Sequence, residues 1–195
     1  EAAKVLLSMP RTGAAVLDSR QKVLSIPRRK PAPARVQGSL EIIQAGRPQG
    51  DTSGYLFAKE ILMLDHLCKV APEVECEVQV IQVGPAAFVT NPAEYFVQFG
   101  LDIKKGSPFA YTFPVELANG IVGYVPTEEA FGPNGGGYET RLTAYSNLVI
   151  TAGRQMADTG IALTKDMQPG PAPEHPKAPP FGRAWTYGNV PPELE

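Results

Sequence analysis

From Glu75 to Val83 the chain reads Glu-Cys-Glu-Val-Gln-Val-Ile-Gln-Val, and this alternation constrains the fold more than any other stretch. Side chains of an extended backbone point to opposite faces in turn. Cys76, Val78, Val80 and Gln82 are therefore expected on one face, with Glu77, Gln79, Ile81 and Val83 on the other. Gly84-Pro85 turns the chain, and Ala86 to Thr90 supplies a second short strand, so the pair reads as a hairpin. Asn91-Pro92 then has the chemistry of a helix start, Asn91 as cap and Pro92 in the first turn. Tyr95, Phe96, Phe99 and Ile103 give that helix an apolar face, and Lys104 and Lys105 suit its carbonyl end.

The rest of the chain continues the mixture. Residues 1–9 read as the end of a helix closed by Pro10 and a Thr12-Gly13 turn, and residues 15–26 as an extended segment carrying Val16, Val23, Leu24 and Ile26. Pro27 to Arg35 is basic and proline-rich, expected as an exposed edge or connector rather than a phosphate grip, because no aromatic residue interrupts it. Gly38 to Ala45 carries Leu40, Ile42 and Ile43. Ser53 to Val70 has helical periodicity, with Tyr55, Ala58, Leu62, Asp65 and Cys68 on one side and Leu64 and Leu67 widening the stripe. Ala110 to Leu117 is an edge strand, since Pro114 lacks an N–H, and Ile121 to Val125 is another strand. Thr127 to Phe131 reads as a short helix capped by Thr127. A final helix over residues 146–164 buries Leu148, Ala152, Met156 and Ile161, although Gly153 and Gly160 weaken it. Residues 1–167 thus form an α/β body, and residues 168–195 a Pro-rich extended tail.

Composition narrows the function. A chain of 195 residues with 43% hydrophobic residues can bury a core of its own. Its net charge of −2 disfavours a nucleic-acid partner, and no apolar run approaches the roughly 18 residues that span a bilayer. The chain begins at Glu1 rather than Met, which reads as a processed or excised chain and leaves the compartment open. Cys68 and Cys76 are too few for a disulfide framework or a four-thiolate zinc site. With only His66 and His175, any metal centre or triad made by this chain alone is short of nitrogen donors. His66 and Cys68, two apart on a helix, point in different directions and cannot share an ion.

Three places could carry chemistry. Glu94, in the opening turn expected after Asn91-Pro92, is a carboxylate held at a strand end; it could equally complete a cap with Asn91. Tyr124 lies in Asn119-Gly120-Ile121-Val122-Gly123-Tyr124, where two glycines leave room for a close backbone or ligand approach. Its phenol could serve as a hydrogen-bond donor or, beside a metal, as an oxygen ligand; a half-buried aromatic is the plainer alternative. Gly132 to Glu139 is a glycine-rich loop that presents Tyr138. It lacks the Lys-Ser/Thr of a phosphate-binding loop.

The order of these pieces says more than each alone. QVIQVGPAAFVTNPAEYFVQFGLDIK, then VELANGIVGYVPTEEAF, GGGYE and SNLVITAGRQM, resembles the C-terminal half of the catalytic domain of the neutral, non-lysosomal ceramidase family and its shorter bacterial relatives. The resemblance covers roughly Val78 to Met156. It implies a fold of two packed mixed β-sheets flanked by helices, of which this chain supplies only part. It implies a zinc ion held by two histidines from the first half of the domain together with Glu94, matched in Pro92-Ala93-Glu94, and Tyr124, matched in the Gly-Tyr-x-x-Thr strand. Tyr138, in the Tyr-Glu pair after the glycines, takes the place of the catalytic tyrosine that stabilises the oxyanion. The activity implied is hydrolysis of an N-acyl amide by a zinc-activated water, on a ceramide-like or a smaller acyl-amide or peptide-like substrate. Neither histidine here matches the family's ligand motifs. The resemblance therefore implies a partner, an N-terminal half of the same precursor or a companion chain, that brings the histidines, and no activity for this chain alone. A non-catalytic structural or interaction subunit is the alternative expectation, and a phosphate binder at Gly132 to Gly137 a third.

Overall fold

The computed structural model describes residues 2–3 and 15–172. Ala2 and Ala3 of the expected first helix are helical, while the rest of it with its Pro10 turn, the end of the Pro-rich tail and His175 lie outside the described residues. In chain order the elements are β1 (Leu17–Pro27), α1 (Pro33–Gln44), α2 (Ser53–Val70), β2 (Glu73–Val83), β3 (Ala86–Thr90), β4 (Glu94–Tyr95), α3 (Val97–Gly106), β5 (Tyr111–Val115), β6 (Tyr124–Val125), a 3-10 turn (Glu128–Phe131) and α4 (Ala152–Lys165). The fold is mixed α/β with two sheets. β1, β2 and β3 pair antiparallel in succession and β5 joins β3 in parallel, giving the order β1-β2-β3-β5; β4 and β6 form a separate parallel pair.

The alternation in β2 is realised as read. Cys76, Val78, Val80 and Gln82 are buried, while Ile81 and Val83 are exposed. Ile26 of β1 and Ala87 and Val89 of β3 join the same inner face. Helix α4 covers that face, and α3 packs between α4 and β5. The glycines of α4, poor helix formers, are what permit the contact: a Cβ on Gly153 would lie 2.3 Å from the Phe99 ring, and one on Gly160 would lie 2.6 Å from Val89. Pro114 sits in β5 at the sheet edge, where a missing N–H is tolerated. The first residues of the tail return to the β2–β3 turn, where Gly170 N–H donates to Gly84 O at 3.1 Å and Gln82 Nε2 to Gln168 O at 2.8 Å.

Several expectations are corrected. Glu94 is not in a helix: Asn91 Oδ1 accepts from Ala93 N–H at 3.0 Å, a local turn, and Glu94 N–H donates across to Gly123 O at 3.0 Å. The β4–β6 ladder takes the amide that a helix would have used, so α3 starts later, at Val97. The strand expected over Ile121 to Val125 shrinks to its last two residues for the same reason, since only Tyr124 and Val125 meet β4. The Pro27 to Arg35 connector ends early, because Pro33 occupies the first turn of α1, where its missing N–H costs nothing. The last helix starts at Ala152, not Ser146, because Ser146 and Asn147 are committed to other hydrogen bonds and Leu148 forms a β-bridge with Arg28. In α2 the buried stripe is Ala58, Ile61 and Leu64, a phase shifted from the expected one, and Thr127 makes no side-chain cap.

Candidate functional site

The smaller sheet has two residues per strand, and its register brings the two oxygen donors together: Glu94 lies directly opposite Tyr124. Parallel pairing puts both side chains on one face of the pair. Gly123, one residue before Tyr124, has φ +77, and a Cβ there would lie 1.9 Å from the carbonyl oxygen of Tyr145. Only glycine permits that approach, and it delivers a third tyrosine: Tyr145 Oη donates to Glu94 Oε1 at 2.5 Å.

The segment carrying Tyr145 is pinned from behind. Thr143 Oγ1 accepts from the N–H groups of Tyr145 and Ser146 at 3.2 and 2.8 Å. Asn147 Nδ2 donates to Ala144 O at 2.6 Å, and Arg28 Nη1 donates to Asn147 Oδ1 at 2.6 Å. Arg29 Nη2 donates to Ser146 O at 3.1 Å, and its guanidinium lies 4.7 Å from the centre of the Phe131 ring. Arg28 and Arg29 of the connector thus turn inward to hold the site loop, while Lys30 and Arg35 stay exposed. Helix α2 forms the facing wall. Glu60 Oε2 accepts from Ala144 N–H at 3.1 Å, and the Arg141 guanidinium stacks 3.4 Å from the centre of the Phe57 ring.

Between these walls lies an open cavity of about 550 Å³. Glu94, Tyr124 and Tyr138 all line it, so the three residues singled out in the sequence share one space. Tyr138 stands at its mouth, 64% exposed, with its ring 5.9 Å from that of Tyr124. Glu60, Phe57 and Tyr145 were not singled out. Glu60 and Phe57 are ordinary positions on a helix surface, and only the Thr143-Ala-Tyr-Ser146 turn chemistry hinted that Tyr145 was held in place.

The phenols feel the carboxylate. Glu94's negative charge, with some burial, raises the Tyr124 pKa above the ordinary phenol value. Tyr145, whose hydroxyl hydrogen bonds to Glu94, is pushed up to about 12. Both are neutral hydrogen-bond donors at physiological pH unless a cation displaces the proton. As metal donors, Glu94 and Tyr124 fit the oxygen half of a mixed nitrogen and oxygen site. Among the described residues no group of three His, Cys, Asp or Glu side chains converges, and His66 is an exposed residue of α2 that does not line the cavity.

No protein-family model matches the chain, and no curated protein matches it. Among solved structures it is similar to a neutral ceramidase from Pseudomonas aeruginosa, at 18% identity and a TM-score of 0.45 over 82% of this chain and 30% of that one. It is also similar to a ceramidase complexed with C2, at 12% identity and a TM-score of 0.44 over 82% of this chain and 32% of that one. The chain thus spans about a third of the length of those structures, and the likeness concerns a part of their fold alone.

Proposed function

We propose that this chain is part of a zinc-dependent amidohydrolase that cleaves an N-acyl amide bond, with its histidine donors supplied by an N-terminal half of the same precursor or by a companion chain. The observation that carries the reading is the register of the small sheet, which sets a carboxylate and a phenol side by side at an open cavity. The order of the sequence motifs supports it independently. When bound, zinc supplies a Lewis acid for the amide carbonyl and lowers the pKa of a water to about 7.

The chain's own residues divide the remaining work. Glu94 and Tyr124 would hold the ion through oxygen. Tyr145, hydrogen-bonded to Glu94, fixes the carboxylate rotamer and is a positioning residue. Tyr138, at the mouth, donates its hydroxyl proton in a hydrogen bond to the carbonyl oxygen as negative charge gathers there. Leu56 and Phe57 supply an apolar wall for the acyl-amide, ceramide-like or smaller. A need for a second half is supported by the large apolar side chains left on the sheet's other face, Leu17 at 73% exposure and Phe113 at 47% among them.

Zinc content and acyl-amide hydrolysis, measured on this chain alone and on the assembly with a histidine-bearing half, test the reading. The lone chain is expected at background in both, and the assembly is expected to bind zinc stoichiometrically and turn over. Robust turnover by the lone chain contradicts it, and a folded assembly without zinc favours the non-catalytic subunit. In the assembly, Tyr124→Phe should lower zinc occupancy, while Tyr138→Phe should lower kcat about 100-fold with zinc retained. Equal zinc loss in both variants would undo that division of roles.

A further inference from the structure

The cavity has a character that holding a metal does not require. Tyr138 and Tyr145 both make T-shaped contacts with Tyr124, with ring centres 5.9 and 5.6 Å away and planes inclined at 80° and 77°. Neither pair is a face-to-face stack, and all three rings line one space, a box of phenols. Two carboxylates, Glu94 and Glu60, line the same space, and among the described residues no lysine, arginine or histidine does. Among the described residues neither carboxylate has a basic side chain within ion-pair distance. At about 550 Å³ the cavity is far larger than an ion with one water and falls within the range of small organic ligands.

We propose that this box binds an organic ammonium ion, its positive head among Tyr124, Tyr138, Tyr145 and the two carboxylates and its alkyl part against Leu56 and Phe57. The faces of aromatic rings carry negative potential, so a cation enclosed by several of them is held without a discrete ion pair. The carboxylates add charge of the right sign, and the shortage of positively charged donors leaves an anion little to bind. The Arg141 guanidinium, which lies on the Phe57 ring, is not among the residues that line the cavity. Read with the proposed amidohydrolase activity, and resting on that reading for this step only, the ligand is the amine half of the substrate: the amine released by amide cleavage is an ammonium ion at neutral pH. Glu60, on the α2 wall, is the carboxylate left for it when Glu94 holds a metal.

The test uses the full chain freed of metal by chelation and dialysis, titrated with choline and with its neutral isostere 3,3-dimethylbutan-1-ol while tyrosine ring signals are followed by NMR. Choline is expected to saturate the signals of the three tyrosines at least about 10-fold more tightly than the isostere. Tyr138→Ala should weaken choline about 5-fold and Tyr138→Phe by less than about 2-fold, since the ring and not the hydroxyl makes the contact. Glu60→Gln should also weaken choline but leave the isostere unchanged. Equal affinity for the two probes, or choline binding indifferent to Tyr138→Ala in a variant with wild-type circular dichroism, overturns the proposal. A parallel zinc titration of the assembly separates the two ideas. Choline selectivity without zinc binding leaves the ammonium box standing and removes the metal reading; zinc binding without choline selectivity does the reverse.

Discussion

The two faces of the four-stranded sheet are built from alternate residues of the same strands and meet different fates. On the inner face Val78, Val80 and Val89 are at most 1% exposed beneath α4. On the outer face Leu17 stands opposite Val83, Ile81 opposite Phe88, and Phe88 opposite Phe113, whose ring stacks on Phe88 with centres 5.2 Å apart. Among these, Ile81 and Val83 remain 40% and 42% exposed. Alternation assigns side chains to faces but does not say which face will be covered. The outer side is apolar at the end that carries Leu17, Ile81, Val83, Phe88 and Phe113, which a second layer would cover, and polar toward Glu73, Glu75, Glu77 and Gln79.

That contrast can be broken or sharpened by mutation. The largest effect is expected at Phe99, fully buried between α3 and α4: Phe99→Ala should cost about 3–5 kcal/mol of stability in denaturant titration, and a loss below about 1 kcal/mol would mean the inner face is not the core. Gly153→Ala pushes a methyl into that same ring and should cost about 1–3 kcal/mol, measured the same way, unless α4 can lift from the sheet. Gly123→Ala combines a left-handed φ with a collision against the Tyr145 backbone and should cost a similar ~1–3 kcal/mol. Its diagnostic is local, a displaced Tyr145 ring signal in NMR spectra of the folded variant. The smallest change in stability is expected outside: Ile81→Thr with Phe113→Thr should stay within about 0.5 kcal/mol per site. Sedimentation of the lone chain should show less self-association in that double variant. A destabilisation as large as that of Phe99→Ala would show that the outer face is already packed.

Most of the regular elements were legible in the sequence because each has a local cause. The alternation from Glu75 to Val83, the Gly84-Pro85 turn and the long periodic helix from Ser53 to Val70 depend on neighbours along the chain, and they form as read. The failures share a different cause. Asn91-Pro92 carries a sound helix-start signal, but a strand 30 residues later claims the amide of Glu94. Gly153 and Gly160 count against a helix by propensity, yet their missing side chains are what Phe99 and Val89 pack against. The site was half legible. Glu94, Tyr124 and Tyr138 stand in motif order, whereas Tyr145 and Glu60 reach the cavity through contacts 51 and 84 residues apart in sequence, which no local pattern encodes.

The sequence by itself determined which side chains share a sheet face, where the chain turns, and that this chain is poor in the nitrogen donors a zinc ion prefers, because periodicity, backbone preference and composition are properties of a chain read in order. Tertiary structure alone decided that Glu94 and Tyr124 stand side by side, that Gly123 admits the backbone of Tyr145, and that Tyr138 and Tyr145 each meet the Tyr124 ring at nearly a right angle in a cavity that two carboxylates line. Those relations depend on which amides find which carbonyls across the fold, and that competition is settled only when the distant segments pack together.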